Sequence, residues 1–301
     1  ANRMPSEVGR SCLTPLIGVR GGVAGDFTVT KLAEGRYMMV GSGMAERYHT
    51  RFFNMVEVPE GTTVTSKTVE TCGFNVAGPK AREMLQRLTS ADLSNENFRF
   101  MRSKEIEVAG VPCLAIRVSF TGDLGWELHC AAEDQVKLYT ALLDAARDCG
   151  GGPVGSRALG SLRIEKGYGS WSREYSPEYW PQEVGLERLI KLDKHFLHKD
   201  AYLVVKDHAP REVLSIFAVE ATANADASGG EPIFALDGRA VGRVTSGAYG
   251  YSVGRSLALG FVKDGSAKPG ETVEIYILGK PHKATVLAEP PFDPAGVRLR
   301  G

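Results

Sequence analysis

Residues 241–262, VGRVTSGAYGYSVGRSLALGFV, place two strand-like runs on either side of a glycine-rich turn. Similar short apolar runs, each bounded by Gly, Pro or Asp, recur from about residue 211 to the end of the chain. Short strands separated at regular intervals by turn residues are typical of a small antiparallel barrel or sandwich. The character of the sequence changes near Ala209 and Pro210, so we predict a β-barrel domain over residues 210–301.

The region before this boundary mixes helical and strand patterns, and we therefore predict an α+β domain over residues 1–209. The spacing of apolar residues predicts helices over 44–58, 78–88, 134–147, 156–167 and 199–206. Alternation of apolar and polar residues predicts strands over 12–19, 27–32, 36–41, 62–74, 100–108, 111–119 and 125–130.

Charge and cysteine content exclude several classes of function. The chain has 36 Lys and Arg against 36 Asp and Glu, so it lacks the overall charge that binds nucleic acid or anionic lipid. No apolar run approaches the roughly 20 residues that a membrane span needs. Its 5 cysteines are odd in number and contain no CxxC pair, which argues against a disulfide framework or a cysteine zinc site. We expect a reducing compartment: the cytoplasm, or the mitochondrial matrix of a eukaryote.

The first residues, ANRMPSEVGRSCLTPL, include no initiator methionine at position 1. Nothing before the first predicted strand is typical of a terminus, so we expect the chain to be a piece of a longer polypeptide. A processed N terminus is the alternative.

Three familiar motifs stand in contexts that do not support their usual functions. Residues 150–155 match GxGxxG but follow a helix and contain a proline, unlike a dinucleotide-binding loop. Residues 250–254 match GxSxG, but a strand pattern follows where a nucleophile elbow needs a helix. His195 and His198 have a metal-like spacing but no third ligand at a fixed offset. We therefore predict no metal site.

Asp26 lies in the stretch GGVAGDFTVT, residues 21–30, between a glycine turn and an apolar strand. A carboxylate that enters an apolar strand is partly desolvated, which raises its pKa. Such a group is suited to giving or accepting a proton. The alternative is a turn aspartate that caps backbone amides.

Glu127 follows Trp126 in the stretch SFTGDLGWELHC, residues 119–130, where a turn leads into a strand. Successive strand residues point to opposite faces. If Trp126 faces outward, Glu127 faces the interior, where a carboxylate is costly without a partner. A planar heterocycle with adjacent N–H donors would pair both of its oxygens. The alternative is a salt bridge to an arginine.

The stretch SLRIEKGYGSWSREY, residues 161–175, places Arg163 and Lys166 on one helical face. Three aromatic residues, including Trp171, crowd the loop that follows. A basic helix beside an aromatic loop could hold an anionic tail and a flat ring. The alternative is a capped helix over a small aromatic core.

Taken together and in this order, these stretches resemble the tetrahydrofolate-binding aminomethyltransferase family, which includes the T-protein of the glycine cleavage system. Within it, the chain is most similar to the C-terminal folate parts of dimethylglycine dehydrogenase, sarcosine dehydrogenase and dimethylglycine oxidase. The resemblance runs nearly end to end. It is carried by GGVAGDFTVTKL (21–32), GPKAREMLQRLTSADLS (78–94), FTGDLGWEL (120–128), SLRIEKGYGSW (161–171), EVGLERLIKLDK (183–194) and VGRVTSGAYGYSVGRSLALGFV (241–262).

The resemblance implies the family fold, which is α+β: a discontinuous folate-binding part, here without its N-terminal segment, followed by a small antiparallel β-barrel. It also implies site residues. The family's catalytic aspartate corresponds to Asp26, and its pterin-binding glutamate corresponds to Glu127. Phe120 stands where the family usually has a tyrosine, seven residues before the glutamate, so a ring contact is expected without its hydroxyl. The further folate-binding candidates are Arg163, Trp171 and, from the barrel, Tyr249.

The function implied by the resemblance is transfer of a one-carbon unit to tetrahydrofolate, forming 5,10-methylenetetrahydrofolate, from a methylamine-type donor such as dimethylglycine or sarcosine. Two alternatives stay open: a folate-dependent demethylase acting on sulfur or oxygen, and a non-catalytic folate-binding module. Long relatives carry a flavin domain upstream. These 301 residues contain no flavin motif, so FAD is expected only in such a parent protein.

Overall fold

The computed structural model describes residues 1–56, 58–221 and 225–301. The chain forms two compact units. Unit 1 comprises Ala1–Arg3, Thr14–Asp26 and Gly155–Ala295. Unit 2 comprises Met4–Leu13, Phe27–Val154 and Gly296–Gly301. A three-stranded sheet, in the order β1 (Ser11–Ile17), β2 (Val23–Ala33) and β3 (Arg36–Val40), contributes residues to both.

Unit 2 is built on an antiparallel sheet that buries one face under helices. The strands are β4 (Thr71–Ala77), β5 (Ser103–Val108), β6 (Val111–Ile116) and β7 (Gly125–Ala131), in the order β4-β7-β6-β5. The helices that supply residues to the core of this unit are α2 (Ala81–Gln86) and α3 (Gln135–Asp148); unit 2 also contains α1 (Glu46–Met55). Trp126, Leu128 and Leu138 are fully buried in the core of this unit. Alternate residues of β7 face this core, as the period of two in its sequence requires.

Unit 1 contains a closed antiparallel barrel. Two helices precede it, α4 (Ser156–Glu165) and α5 (Lys199–Val205). The barrel strands are β8 (Glu212–Val219), β9 (Pro232–Phe234), β10 (Ala240–Gly250), β11 (Arg255–Lys263), β12 (Thr272–Ile277) and β13 (Lys280–Leu287), in the order β10-β11-β8-β13-β12-β9. Closure leaves no open sheet edge. A short helix α6 (Val297–Arg300) follows and belongs to unit 2.

The α+β fold with an antiparallel barrel is confirmed, and one predicted strand is wrong in its first part. Alternation predicted a strand over residues 62–74, but β4 begins only at Thr71 and residues 58–70 are exposed. Alternation produces a strand only where one face has a core to pack against. Glu57, inside the helix predicted over 44–58, lies outside the described residues.

The compact units divide the chain differently from the predicted domains 1–209 and 210–301. Helices α4 and α5 lie with the barrel in unit 1 although the composition of the sequence changes only near Ala209. Ile164 of α4, for example, packs against barrel residues. Within the described ranges, no helix is long and apolar enough to cross a membrane.

Candidate functional site

Asp26 is positioned by the glycine turn that opens β2. The turn closes through a hydrogen bond from the Gly18 amide to the Gly22 carbonyl, 2.8 Å long, and the Val23 amide donates to the Tyr179 carbonyl at 2.9 Å. A Cβ atom on Gly22 would lie 2.2 Å from the carbonyl oxygen of Pro177. Glycine at position 22 therefore lets the segment around Tyr179 pack directly against the start of β2.

The carboxyl group of Asp26 is half-buried, and burial raises its pKa above the ordinary value for aspartate. Its own backbone amide acts in the opposite direction but is the weaker effect. Among the described residues, no basic side chain forms an ion pair with Asp26. Desolvation by burial thus raises the pKa of Asp26, which is the direction expected from the sequence.

Tyr175 is a second titratable group affected by Asp26 within unit 1. Burial raises the pKa of Tyr175 to about 12, and the charge of Asp26 adds to the shift. A Cβ atom on Gly169 would lie 2.7 Å from the Tyr175 ring, so the glycine makes room for it. The phenol consequently stays neutral over the physiological range.

Glu127 lies on the face of β7 opposite the core of unit 2. Trp126 is fully buried in that core, whereas the Glu127 side chain keeps 25% of its surface exposed. The condition that Trp126 faces outward is therefore not met, and Glu127 does not face the hydrophobic core. The reason is that the helices α2 and α3 cover the tryptophan face, and the indole has far more apolar surface to bury than the glutamate.

One oxygen of Glu127 is nevertheless buried without a hydrogen bond. Within the described ranges, Oε2 of Glu127 and Nε2 of His129 both lack hydrogen-bond partners although both atoms are buried. The two atoms are 3.5 Å apart, which is longer than a good hydrogen bond. Arginine and lysine form no salt bridge with Glu127 in the part of the chain that is described. The alternative of a salt bridge to an arginine is thus not what the structure shows.

Phe120 sits in the turn that leads into β7. The Gly122 amide donates to Oγ of Ser119 at 3.0 Å, and a carboxylate oxygen of Asp123 lies 3.7 Å from Arg298. The aromatic ring at position 120 is half-buried. Phe120 and Glu127 thus both belong to unit 2 and to one continuous turn and strand.

Arg163 is committed to contacts inside unit 1. Its guanidinium pairs with the buried carboxylate of Glu174 at 2.9 Å and donates to Oγ of Ser246 at 2.5 Å. Thr245 and Ser246 both donate to the same oxygen of Glu174, each at 2.6 Å. Thr245 and Ser246 are neighbours in β10, and neighbouring strand residues normally point to opposite faces. The register of β10 shifts between Val244 and Ser246, and such a bulge changes the direction of side chains, so that both reach Glu174.

These contacts support the structural alternative for Arg163. The residue is 5% exposed and its guanidinium is paired with a carboxylate. Lys166 is likewise buried and pairs with Asp293 at 3.3 Å. A role of Arg163 in folate binding stays a prediction.

Trp171 and Tyr249 both lie in unit 1. Trp171 is half-buried and forms an isolated β-bridge with Tyr175. Tyr249, in β10, has 39% of its surface exposed and its ring contacts that of Tyr251 edge-on, with 5.0 Å between centroids. Ser161 anchors this part of β10 by donating to the Tyr249 carbonyl at 2.6 Å.

The sequence reasoning did not single out His129, although a signal for it was available. A period of two along β7 places residues 127 and 129 on the same face. The GxSxG serine, Ser252, has a structural role, since its amide donates to Glu165 at 2.8 Å. His198 likewise contacts the Ile17 carbonyl at 2.8 Å. No group of three or more His, Cys, Asp or Glu among the described residues is arranged to hold a metal ion.

The chain matches two family models: the GCVT N-terminal domain over residues 1–194, and the glycine cleavage T-protein C-terminal barrel domain over residues 213–293. It is 35% identical over 306 aligned residues to mouse (Mus musculus) dimethylglycine dehydrogenase, mitochondrial, covering 100% of this chain and 35% of that protein. The chain thus spans about a third of the length of the curated relatives that it matches first.

A shorter relative is covered more fully. The aminomethyltransferase of Caldanaerobacter subterraneus is 32% identical, with 89% of this chain and 71% of that protein aligned. Among solved structures, the glycine cleavage system aminomethyltransferase T from Bartonella henselae superposes with a TM-score of 0.83 at 22% identity. That superposition covers 96% of this chain and 77% of the other, and it shows the shared fold. The chain belongs to the glycine cleavage T-protein family, together with the aminomethyltransferases.

Proposed function

We propose that this chain transfers a one-carbon unit at the oxidation level of formaldehyde to tetrahydrofolate, with 5,10-methylenetetrahydrofolate as product. The observation that carries the proposal is the state of Asp26: a half-buried carboxyl with a raised pKa, at the position of the family's catalytic aspartate. A desolvated carboxyl is a competent proton carrier near neutral pH. The family of the chain supplies the substrate class.

Glu127 fits the pterin ring of tetrahydrofolate. Among the described residues, no arginine or lysine pairs with its carboxylate, and a charged acceptor without a basic partner favours a ligand with N–H donors. The edge of a pterin carries such donors next to one another. When bound, tetrahydrofolate supplies the N5 and N10 nitrogens that receive the carbon unit.

The chain's own residues then have separable tasks. Glu127 orients the ring by accepting its N–H groups, since charge-assisted hydrogen bonds are directional and strong. Phe120 offers an apolar ring contact. Asp26 takes up a proton released from nitrogen as the new carbon–nitrogen bond forms, and its raised pKa keeps it basic enough to hold that proton. Trp171 and Tyr249 remain candidates for contact with the rest of the molecule.

The donor that we propose is a methylamine of the dimethylglycine or sarcosine class. Relatives named dimethylglycine dehydrogenase and sarcosine dehydrogenase match this chain over nearly its whole length. We propose a flavin-containing upstream domain, holding FAD, as its partner in a longer polypeptide. No residue of this chain is assigned to FAD. The mitochondrial matrix, or the cytoplasm of a bacterium, stays the expected compartment.

The binding part is tested with Glu127→Ala and titration calorimetry with tetrahydrofolate. We expect wild type to bind and the variant to bind roughly tenfold or more weakly, because hydrogen bonds to a charged acceptor are worth about 1.5–3 kcal/mol. Glu105→Gln is the control, since Glu105 is an exposed acid of the same sheet. Equal affinity of Glu127→Ala and wild type would remove Glu127 from the site.

The chemical part is tested with Asp26→Asn in single turnovers that use formaldehyde as carbon donor. The uncatalysed condensation with tetrahydrofolate is measured in parallel and subtracted. We expect the rate to fall by roughly 10²–10⁴-fold, the usual share of a general acid–base. Asp237→Asn, which changes an exposed carboxylate of unit 1, is the matched control. A wild-type rate in Asp26→Asn would end the catalytic assignment.

The product separates this proposal from its alternatives. A demethylase acting on sulfur or oxygen would yield 5-methyltetrahydrofolate instead of the methylene product. A non-catalytic module would bind tetrahydrofolate and leave the rate at the uncatalysed value. Mass spectrometry of the folate distinguishes the methylene product from the methyl product, and the rate above that of the uncatalysed reaction distinguishes an enzyme from a binding module.

A further inference from the structure

His129 shares its face of β7 with Glu127. The core face of the strand is occupied by Trp126, Leu128 and Cys130, all buried. The opposite face carries Glu127 and His129, whose side chains keep 25% and 11% of their surface exposed. The imidazole is therefore nearly buried without belonging to the hydrophobic core.

The facing atoms of the two side chains lack hydrogen bonds. Nε2 of His129 lies 3.5 Å from Oε2 of Glu127, and each is a buried atom with no hydrogen-bond partner in the described ranges. A hydrogen bond between nitrogen and oxygen requires 2.7–3.2 Å. Closing the gap by about half an ångström would satisfy both atoms at once.

Neighbouring strands leave no competing charge directly beside this pair. On β4, Gly73 is opposite His129 and Asn75 is opposite Glu127. On β6, Leu114 and the buried Ile116 take the corresponding positions. Among the described residues that flank Glu127 on its face of β4, β7 and β6, His129 is thus the ionisable side chain.

Gly73 creates the space in which the imidazole lies. A Cβ atom at position 73 would be 3.4 Å from Nδ1 of His129. That distance is ordinary van der Waals contact, so a methyl group would touch the ring without displacing it, whereas a side chain branched at Cβ, such as valine, places further atoms against it. The glycine has no positive φ, and hence its role here is spatial.

We propose that His129 is a positioning residue for Glu127: its Nε2–H donates to Oε2, holds the carboxylate in one rotamer and leaves Oε1 directed to the ligand. This inference rests on the proposed binding of tetrahydrofolate by Glu127. A carboxylate that is already held loses less conformational freedom when the ligand binds. His129 itself is not a catalytic residue.

The test uses three variants and calorimetric titration with tetrahydrofolate. His129→Leu removes the donor and is expected to weaken binding roughly three- to tenfold, the effect of one side chain that is no longer pre-ordered. His129→Gln keeps an N–H donor and is expected to stay within about twofold of wild type. Gly73→Val displaces the ring without touching either polar group and is expected to behave as His129→Leu does.

A thermodynamic cycle shows whether His129 acts through Glu127. In a Glu127→Ala background, His129→Leu is expected to cause no further loss of affinity, because the group that it positions is absent. Losses that multiply would show that His129 contributes on its own and would overturn the positioning role. A merely structural residue would not be rescued by glutamine, and it would not be silent in the Glu127→Ala background.

The outcomes for this inference and for the proposed function are distinguishable. If wild type does not bind tetrahydrofolate, the proposed function fails, and with it the premise of this inference. If wild type binds and His129→Leu binds within twofold of it, the inference alone is wrong. Should His129→Leu not fold, as judged by circular dichroism, the comparison of His129→Gln with Gly73→Val decides between the same outcomes.

Discussion

Asp26 owes its properties to the place where β2 begins. The glycine turn before it lets a neighbouring loop pack closely, and the resulting burial raises the pKa of the carboxyl group. The structure therefore keeps this residue in a state that costs stability when it is ionised. Residues whose environment lowers the stability of the fold are common at functional sites.

The raised pKa predicts the pH dependence of Asp26→Asn. The native pKa is raised above the unfolded value, so the folded state binds more protons between the two values, and wild-type stability falls as pH rises through that window. Asparagine carries no charge and removes this slope. At pH 7 we expect Asp26→Asn to be at least as stable as wild type, and the difference to shrink as pH falls toward the ordinary aspartate pKa. Urea unfolding at several pH values measures it.

The outcome that contradicts this prediction is a loss of stability in Asp26→Asn at neutral pH. A loss that shrinks as pH falls would indicate an ionised carboxylate that caps backbone amides, which was the alternative drawn from the sequence. Asp237→Asn, at an exposed ion pair with Arg239, controls for a general effect of removing one negative charge.

For Phe120, we predict a substitution that increases the affinity for tetrahydrofolate. The family usually has a tyrosine at this position, and Phe120→Tyr restores the hydroxyl. One additional hydrogen bond is worth about 0.5–1.5 kcal/mol, so we expect tetrahydrofolate to bind roughly two- to tenfold more tightly. Calorimetry measures it, with Phe74→Tyr as a control on the other face of the same sheet. An unchanged affinity would show that the hydroxyl has no partner at position 120.

At the scale of elements, Glu183 connects the loop before the barrel to the start of β8. Arg211 donates its backbone amide and Nε to one oxygen and Nη2 to the other, at 2.9, 2.8 and 2.7 Å. The Trp180 amide adds a fourth bond at 2.7 Å. Burial alone would raise the pKa of Glu183, but these donors outweigh it and lower the pKa.

We therefore predict that Glu183→Gln destabilises unit 1 by about 1–3 kcal/mol, since it replaces a charged acceptor of four bonds with a neutral one. The stabilising effect of the carboxylate is present above the unfolded glutamate pKa and is lost as pH falls through the lower native value. Urea unfolding at neutral and acidic pH measures both effects. Glu178→Gln, an exposed side chain of the same loop, should change neither. A neutral result for Glu183→Gln would contradict the anchoring role.

The elements also show what local patterns predict well. The alternation in residues 125–130 and the spacing in residues 134–147 correctly indicated β7 and α3, because each has a face that packs into the core. The same alternation failed before Thr71, where residues 58–70 are exposed. A local pattern shows that a segment has an apolar face, but the rest of the fold decides whether that face is buried.

At the scale of the whole chain, α4 packs against the barrel strands β10 and β11 within unit 1. Ile164 joins Ile216, Leu257 and Leu259 in one buried cluster, and Arg163 adds the ion pair to Glu174. A barrel excised at the predicted boundary of residue 210 would expose this cluster and leave Ser246 without its partner.

We therefore predict that a fragment of residues 155–301 folds more stably than a fragment of residues 210–301. Burial of a side chain such as Ile164 is worth about 1.5–3 kcal/mol, and the buried polar network adds to that. Urea unfolding and resistance to proteolysis of the two fragments measure the difference. Equal stability would show that the domain boundary near Ala209 describes folding better than the compact units do.

The sequence by itself determined the strands and helices whose apolar face is buried, the all-β character of the C-terminal part and the family of the chain. These follow from local alternation and from motifs that are contiguous in the chain. The partners of charged groups were decided only by tertiary structure. Arg163 meets Ser246 across 83 positions of sequence, and Glu127 lies on the face opposite the core because Trp126 has the larger apolar surface to bury. No period records such contacts, since each is selected by which distant surfaces pack together and by what burial leaves unpaired.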